Sequence, residues 1–276
     1  MSGQVEEIRL VGGGPELYAR LRTSDQEAPT IVLLCGLGFH TFEYEPLAES
    51  LTASGYNVLS LDYRGHGRSD GPRGRWSLAD LASDARRAVG LVSGRGFERI
   101  GVFGNSLGAM IAIQVATADP RVRGVVASNC PAHIADFLLT TPLRMLLTIA
   151  RPLQMVPAVR ISVGHFYSYE QLINDRAWVT RIRNDPTVTA SRRLSIGTYR
   201  TLLDWDGAAA VHALHRPILV IQGRTDRLQP AEQSQILFDA ANDPSEHQFV
   251  DTGHLPHLEN TGLLAKRLVD WFDNTT

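Results

Sequence analysis

Three residues of the types needed for nucleophilic acyl chemistry, Ser106, Asp226 and His254, occur in that order, each just past an apolar run. Ser106 stands in Gly104-Asn105-Ser106-Leu107-Gly108, between an apolar run at 99–103 and a helical run at 109–116. A strand that turns sharply into a helix through Gly-x-Ser-x-Gly holds its serine in a strained backbone conformation that lifts Oγ clear of the sheet. Strand and helix then approach too closely for side chains two residues to either side, hence the glycines. The helix also points its unpaired N–H groups and partial positive charge at the place where an oxyanion would form. A serine so placed becomes a nucleophile once a base takes its proton and a third group orients that base. His254, in Asp251-Thr-Gly-His254, and Asp226, in Gly223-Arg-Thr-Asp226, are the candidates. Asp204, Asp206 and Asp251 compete for the acid's role, and His257 for the base's. Asp226 is preferred for its place after the strand-like run 218–222, and His254 because it follows Gly253 directly on a loop.

These residues need a scaffold, and the hydrophobic pattern supplies one. Runs 5–11 and 16–23 flank Gly12-Gly-Gly-Pro15 and predict an antiparallel hairpin. Strands are then expected at 30–34, 57–61, 100–103, 122–128, 218–222 and 246–250. Helices are expected at 42–54, 78–93, 109–118, 230–241 and 258–272. This alternation predicts a mostly parallel central sheet with helices on both faces, whose carboxyl edge is the place for a ligand. Between Pro131 and about residue 210 the rhythm breaks, with prolines at 142, 152, 157 and 186. The expected organisation is a core of 1–130 and 211–276 with a helical lid, 131–210, inserted over that edge.

Composition excludes several classes. A chain of 276 residues that is 43% hydrophobic and 20% charged suits a globular protein with a substantial core. A net charge of −2 gives no electrostatic case for nucleic acid, although all basic residues but Lys266 are arginine. The first residues have neither a basic nor an apolar signal region, and no long uncharged apolar stretch occurs, so a cytoplasmic location is expected. Cys35 and Cys130 each follow a strand-like run, which suits buried thiols.

The order of serine, acid and histidine, together with Cys35-Gly-Leu-Gly38, Asp62-Tyr-Arg-Gly-His-Gly-Arg-Ser-Asp-Gly71 and Gly253-His-Leu-Pro-His-Leu-Glu259, resembles the α/β-hydrolases over nearly the whole chain. Within them it is similar to the monoacylglycerol-lipase and lysophospholipase-like branch. The resemblance implies an α/β-hydrolase fold and a serine esterase acting through an acyl-enzyme on monoacyl lipid esters. It implies Ser106 as nucleophile, His254 as base and then acid, Asp226 as its orienting partner, and the backbone N–H groups of Leu37 and Leu107 as oxyanion hole. Neither metal nor organic cofactor is implied. The family commonly has His-Gly where this chain has Cys35-Gly36, so the bond that anchors the oxyanion loop must be weakened or replaced. In the family's sheet a strand separates those ending near Cys35 and Cys130, at ~10 Å, too far for a disulfide. The 64–69 run is expected to form a tight turn beside the serine rather than to catalyse.

Two other functions stay open. A meta-cleavage-type carbon–carbon hydrolase uses the same triad and often has asparagine before the serine, as Asn105 is here, but the loop after Cys35 lacks its Gly-x-Gly-Pro pattern. A non-catalytic small-ligand receptor on the same fold is the rival from another class. Epoxide hydrolases and dehalogenases use a carboxylate where this chain has Ser106. In the insertion, Phe137-Leu-Leu139 and the run 143–151 are strongly apolar, with Arg144 and Arg151 on one helix face. Nine arginines against six acids give 131–210 a net charge of +3. Such a segment could lean transiently on a membrane surface, line an acyl pocket or form the lid's own core. Oligomeric state is not legible.

Overall fold

The computed structural model describes residues 4–138, 159–242 and 245–275. Its strands are β1 (Gln4–Leu10), β2 (Leu17–Thr23), β3 (Thr30–Leu34), β4 (Asn57–Leu61), β5 (Ile100–Asn105), β6 (Val122–Ser128), β7 (Arg160–Ser162), β8 (Arg193–Ser195), β9 (Ile218–Gly223) and β10 (Ser245–Val250). Eight of them form one sheet in the order β1-β2-β4-β3-β5-β6-β9-β10, antiparallel from β1 to β4 and parallel from there on. The parallel strands β3, β4 and β5 are buried at every residue, as continuous apolar runs sandwiched between helices must be.

Helices α1 (Glu45–Ala53), α2 (Leu78–Gly94) and α3 (Leu107–Ala118) follow β3, β4 and β5. Ser77 and Asp80 start α2 by reciprocal bonds, the Ser77 Oγ accepting from Asp80 N–H and the Asp80 carboxylate from Ser77 N–H. Because strand side chains alternate in direction, the contacts of two β5 glycines tell the faces apart. A Cβ on Gly101 would lie 2.3 Å from Phe272 of the closing helix Thr261–Asp273, whereas one on Gly104 would lie 2.1 Å from the Gly108 carbonyl oxygen in α3. A Cβ on Gly108 would lie 2.0 Å from the Leu34 carbonyl oxygen. Each of these contacts at Gly104 and Gly108 is with main chain, so neither glycine can be replaced without moving α3 off the sheet.

From β3 the chain winds to β4 on one side and to β5 on the other. This reversal opens a crevice at the carboxyl ends of β3 and β5, where open α/β sheets bind ligands. Leu34 pairs with Gly104 there, which sets the Cys35–Gly38 loop beside Ser106. Cys35 and Cys130 are buried free thiols with β5 between their strands.

Two expectations need correction. The insertion is not wholly helical: β7 and β8 pair antiparallel within it, among helices Tyr169–Leu172, Arg176–Arg183, Pro186–Ser191 and Ile196–Leu203. Strands of three residues show too little alternation to register as a pattern. The closing helix is also interrupted, as Pro256–Glu259 and Thr261–Asp273, because Asn260 turns out of helical geometry and its side chain caps the N–H of Leu263. Phe137 falls in the short helix Ile134–Leu138, but Leu139, Arg144, Arg151 and the apolar run at 143–151 lie outside the described residues.

Candidate active site

Ser106 occupies the turn between β5 and α3 at φ 55°, ψ −117°, one of two non-glycine residues with positive φ among those described. Its N–H donates to the Ser128 carbonyl of β6, pinning the strained residue between strands. Leu37 and Leu107 both line the cavity beside Ser106, and their N–H groups have no protein acceptor among the described residues. Leu107 begins α3, where an unpaired N–H is inherent. Leu37 owes its position to the loop after β3, which is held by a group that sequence reasoning missed. The Gly36 N–H donates to the hydroxyl of the fully buried Tyr44 at 3.1 Å. Asp62 accepts from Thr41 N–H at 2.7 Å and from Arg68 N–H at 2.8 Å, tying the same loop to the 62–71 turn. Tyr44 thus anchors the loop that begins at Cys35. The turn itself is clamped by Arg64 on Asp80 and Asp84, a structural role.

Asp226 follows β9 and His254 follows β10, and the two meet at 2.7 Å through Asp226 Oδ2 and His254 Nδ1. The other carboxylate oxygen, Oδ1, accepts from the N–H groups of Leu228 and Gln229 at 2.8 and 2.9 Å. Burial would raise the Asp226 carboxyl, but His254 and these two donors outweigh it and hold it below its ordinary value. With Nδ1 occupied, the other ring nitrogen of His254 remains for the cavity that this histidine and Ser106 both line. Two further groups set the histidine loop. Asn129 Nδ2 donates to the His254 carbonyl at 2.9 Å, and the Gly253 N–H donates to Glu259 at 2.9 Å. Asn129 carries the other positive φ, 44°, and no local pattern marks it out.

The competing acids and bases lie elsewhere. Asp206 caps helix Gly207–His212, and Asp251 is exposed and pairs with Arg224. His40 sits 3.3 Å from Asp185 and ties the far end of the loop after β3 to the insertion. His257 is fully buried, stacks on Tyr44 with ring centroids 4.1 Å apart, and has no hydrogen bond at either nitrogen among the described residues. Burial, and secondarily the nearby His254, push its pKa down to about 3; burial likewise takes His66 to about 4. Both are neutral in the folded state, whereas the unfolded chain takes up their protons near pH 6.5. Stability should therefore fall as pH drops below about 6.5 toward the folded values, by up to about 1.4 kcal/mol per pH unit for each histidine. Urea denaturation between pH 7 and 5 should show this slope, reduced in His257→Leu, and that variant should lose far less activity than His254→Ala.

The cavity, together with the open space at its mouth, spans about 690 Å³. Leu37, Leu107, Met110, Val163, Phe166 and Leu202 are among its lining residues, and the described lining contains no arginine or lysine. Residues of the main sheet's loops and of the 160–203 segment both contribute to the lining.

A doubly wound sheet with a strained serine at its switch point and an acid–histidine pair past its later strands defines an α/β-hydrolase. A family model described as "Serine aminopeptidase, S33" matches residues 25–259, and the chain belongs to that hydrolase family. It is 27% identical to a monoacylglycerol lipase of Mycolicibacterium smegmatis, over 87% of this chain and 86% of that protein. It is 26% identical to 2-hydroxy-6-oxononadienedioate/2-hydroxy-6-oxononatrienedioate hydrolase 2 of Pseudomonas putida, over 96% and 95%. Among solved structures, the monoacylglycerol lipase of Paleococcus ferrophilus superposes with a TM-score of 0.74 at 26% identity, covering 93% of this chain and 98% of that one. Among the described residues no helix is long and apolar enough to cross a membrane.

Proposed function

We propose that the protein is a serine hydrolase of carboxylic esters, with monoacyl lipid esters as its substrate class. The observation that carries this is the apolar cavity lined by both Ser106 and the Asp226-bound His254. In the proposed cycle His254 takes the Ser106 proton as Oγ attacks the ester carbonyl, and the N–H groups of Leu37 and Leu107 receive the oxyanion. His254 then protonates the departing alcohol, and a water activated by the same imidazole releases the acid from the acyl-enzyme. Residues 131–210 act as the lid that closes over the acyl chain.

The carbon–carbon hydrolase alternative draws on the Pseudomonas putida relative and on Asn105, buried beside the serine. A dioate substrate carries two carboxylates; the described lining of the cavity itself offers no cation, and the adjoining pocket holds a single arginine without a carboxylate partner among the described residues, enough for one of them only. The hydrocarbon lining favours the ester.

Each methylene buried by an acyl chain adds about 0.8 kcal/mol, so four more carbons are worth about 3 kcal/mol, or on the order of a hundredfold in kcat/KM. Across p-nitrophenyl esters, kcat/KM should climb from acetate to at least octanoate. Phe166→Ser and Leu202→Ser should flatten the climb while leaving acetate within a fewfold of wild type. A wild-type preference for acetate would remove the lipid substrate class.

A further inference from the structure

Behind the wall of the catalytic cavity lies a second pocket of about 700 Å³ including its mouth, and Tyr167 lines both. Its unusual member is Arg192, which joins helix Pro186–Ser191 to β8. Arg192 is only 5% exposed, yet no carboxylate pairs with it among the described residues, and its Nη2 is buried without a hydrogen-bond partner. Arginine is almost never buried in this way unless paired. The side chain is held firmly. Its backbone N–H donates to Thr189 O and its carbonyl accepts from Val163 N–H. Its stem lies against Gly38, where a Cβ would come within 2.7 Å of Arg192 Cγ. Its guanidinium stacks 4.1 Å from the ring centroid of Tyr169 and 4.8 Å from that of Tyr167.

Aromatic rings satisfy the faces of a guanidinium and leave its in-plane N–H edge open. That edge is complementary to two oxygens sharing a negative charge. Serine and threonine hydroxyls at Ser162, Ser168 and Thr189 also line the pocket. Its other cation, Arg183, is already paired with Glu170, so one positive charge stands uncompensated. We propose that this pocket binds a monoanionic oxyanion, a carboxylate or phosphodiester group, through Arg192. The anion belongs either to the far end of an ester substrate or to a separate small molecule. In both cases it sits one side chain away from the loop that carries the Leu37 N–H.

Thermal unfolding tests the site independently of any catalysis. Dimethyl phosphate or acetate, against chloride at equal ionic strength, should raise the Tm of the wild type saturably, by about 3 °C at tenfold excess over Kd. The rise should be lost in Arg192→Met and weakened in Arg192→Lys, which keeps the charge but not the fork. Should the methionine variant fail to fold, the lysine variant and the wild-type titration carry the test. The source of the anion is read from kcat/KM for the p-nitrophenyl monoester of suberic acid relative to p-nitrophenyl octanoate. A fall of tenfold or more in this ratio in Arg192→Lys places the anion on the substrate, whereas an unchanged ratio with an Arg192-dependent Tm rise makes it a separate ligand. A Tm rise of equal size in wild type and both variants, or no rise together with an unchanged ratio, overturns the proposal.

Discussion

Ser106→Ala is expected to lower kcat for p-nitrophenyl octanoate by about 10⁶-fold while Tm stays close to the wild-type value, because the loss of the nucleophile leaves only what binding and the oxyanion donors contribute. The fold should survive because what pins residue 106 is main chain. Its N–H bonds to Ser128 O, and its carbonyl accepts from Ala109 and Met110. Alanine removes only Oγ and leaves the glycine contacts of the turn untouched. Stopped assays of kcat, paired with thermal unfolding of the same preparation, check both halves of the expectation. A variant that retained a tenth of wild-type activity would assign the chemistry to another group.

Asp226→Asn is expected to lower kcat by about 10⁴-fold with little change in KM. The geometry around the carboxylate says why the substitution should be so costly. Two backbone donors, from Leu228 and Gln229, fall on Oδ1 and would retain the oxygen of an asparagine in that place. The amide NH₂ would then face His254 Nδ1, where Oδ2 now lies at 2.7 Å. A donor there forces Nδ1 to accept, so the ring proton moves to the nitrogen that faces the cavity, and the imidazole can no longer take the serine proton. The imidazolium formed in the transition state also loses its counter-charge. Thermal unfolding of the same preparation distinguishes this from general damage: misfolding would lower Tm along with the amount of active enzyme, whereas a wrongly oriented imidazole leaves Tm close to the wild-type value.

Much of the framework could be read from the residues because it obeys strong, local rules. The runs 57–61 and 122–128 coincide with β4 and β6, since strands buried on both faces are marked by short, predominantly apolar runs rich in valine and leucine. The glycines at 104 and 108 announced a close approach, and the carbonyl contacts on both give it a distance. Helix ends were less legible. α1 begins at Glu45, with Pro46 in its first turn, rather than at residue 42, because the preceding residues make successive turns after the loop that follows β3. The supporting groups of the site were hidden for a different reason. Tyr44, Asn129 and Glu259 act across 8, 125 and 6 residues of chain, through single side chains bonded to backbone, and such contacts leave no periodic trace. His257 shows the converse. Three positions from His254 it looked like a rival base, and only its burial against Tyr44 marks it as packing. Arg192 was one arginine among nine in the insertion until its lack of a counter-ion became visible.

Covalent capture tests the central claim most directly. Incubating the wild type with a fluorophosphonate probe and mapping the adduct by peptide mass spectrometry should find one phosphonate on Ser106. Its formation should be slowed by orders of magnitude in His254→Ala and absent in Ser106→Ala. An active wild-type enzyme that hydrolyses esters yet carries no adduct on Ser106, or carries it on another residue, would contradict the account.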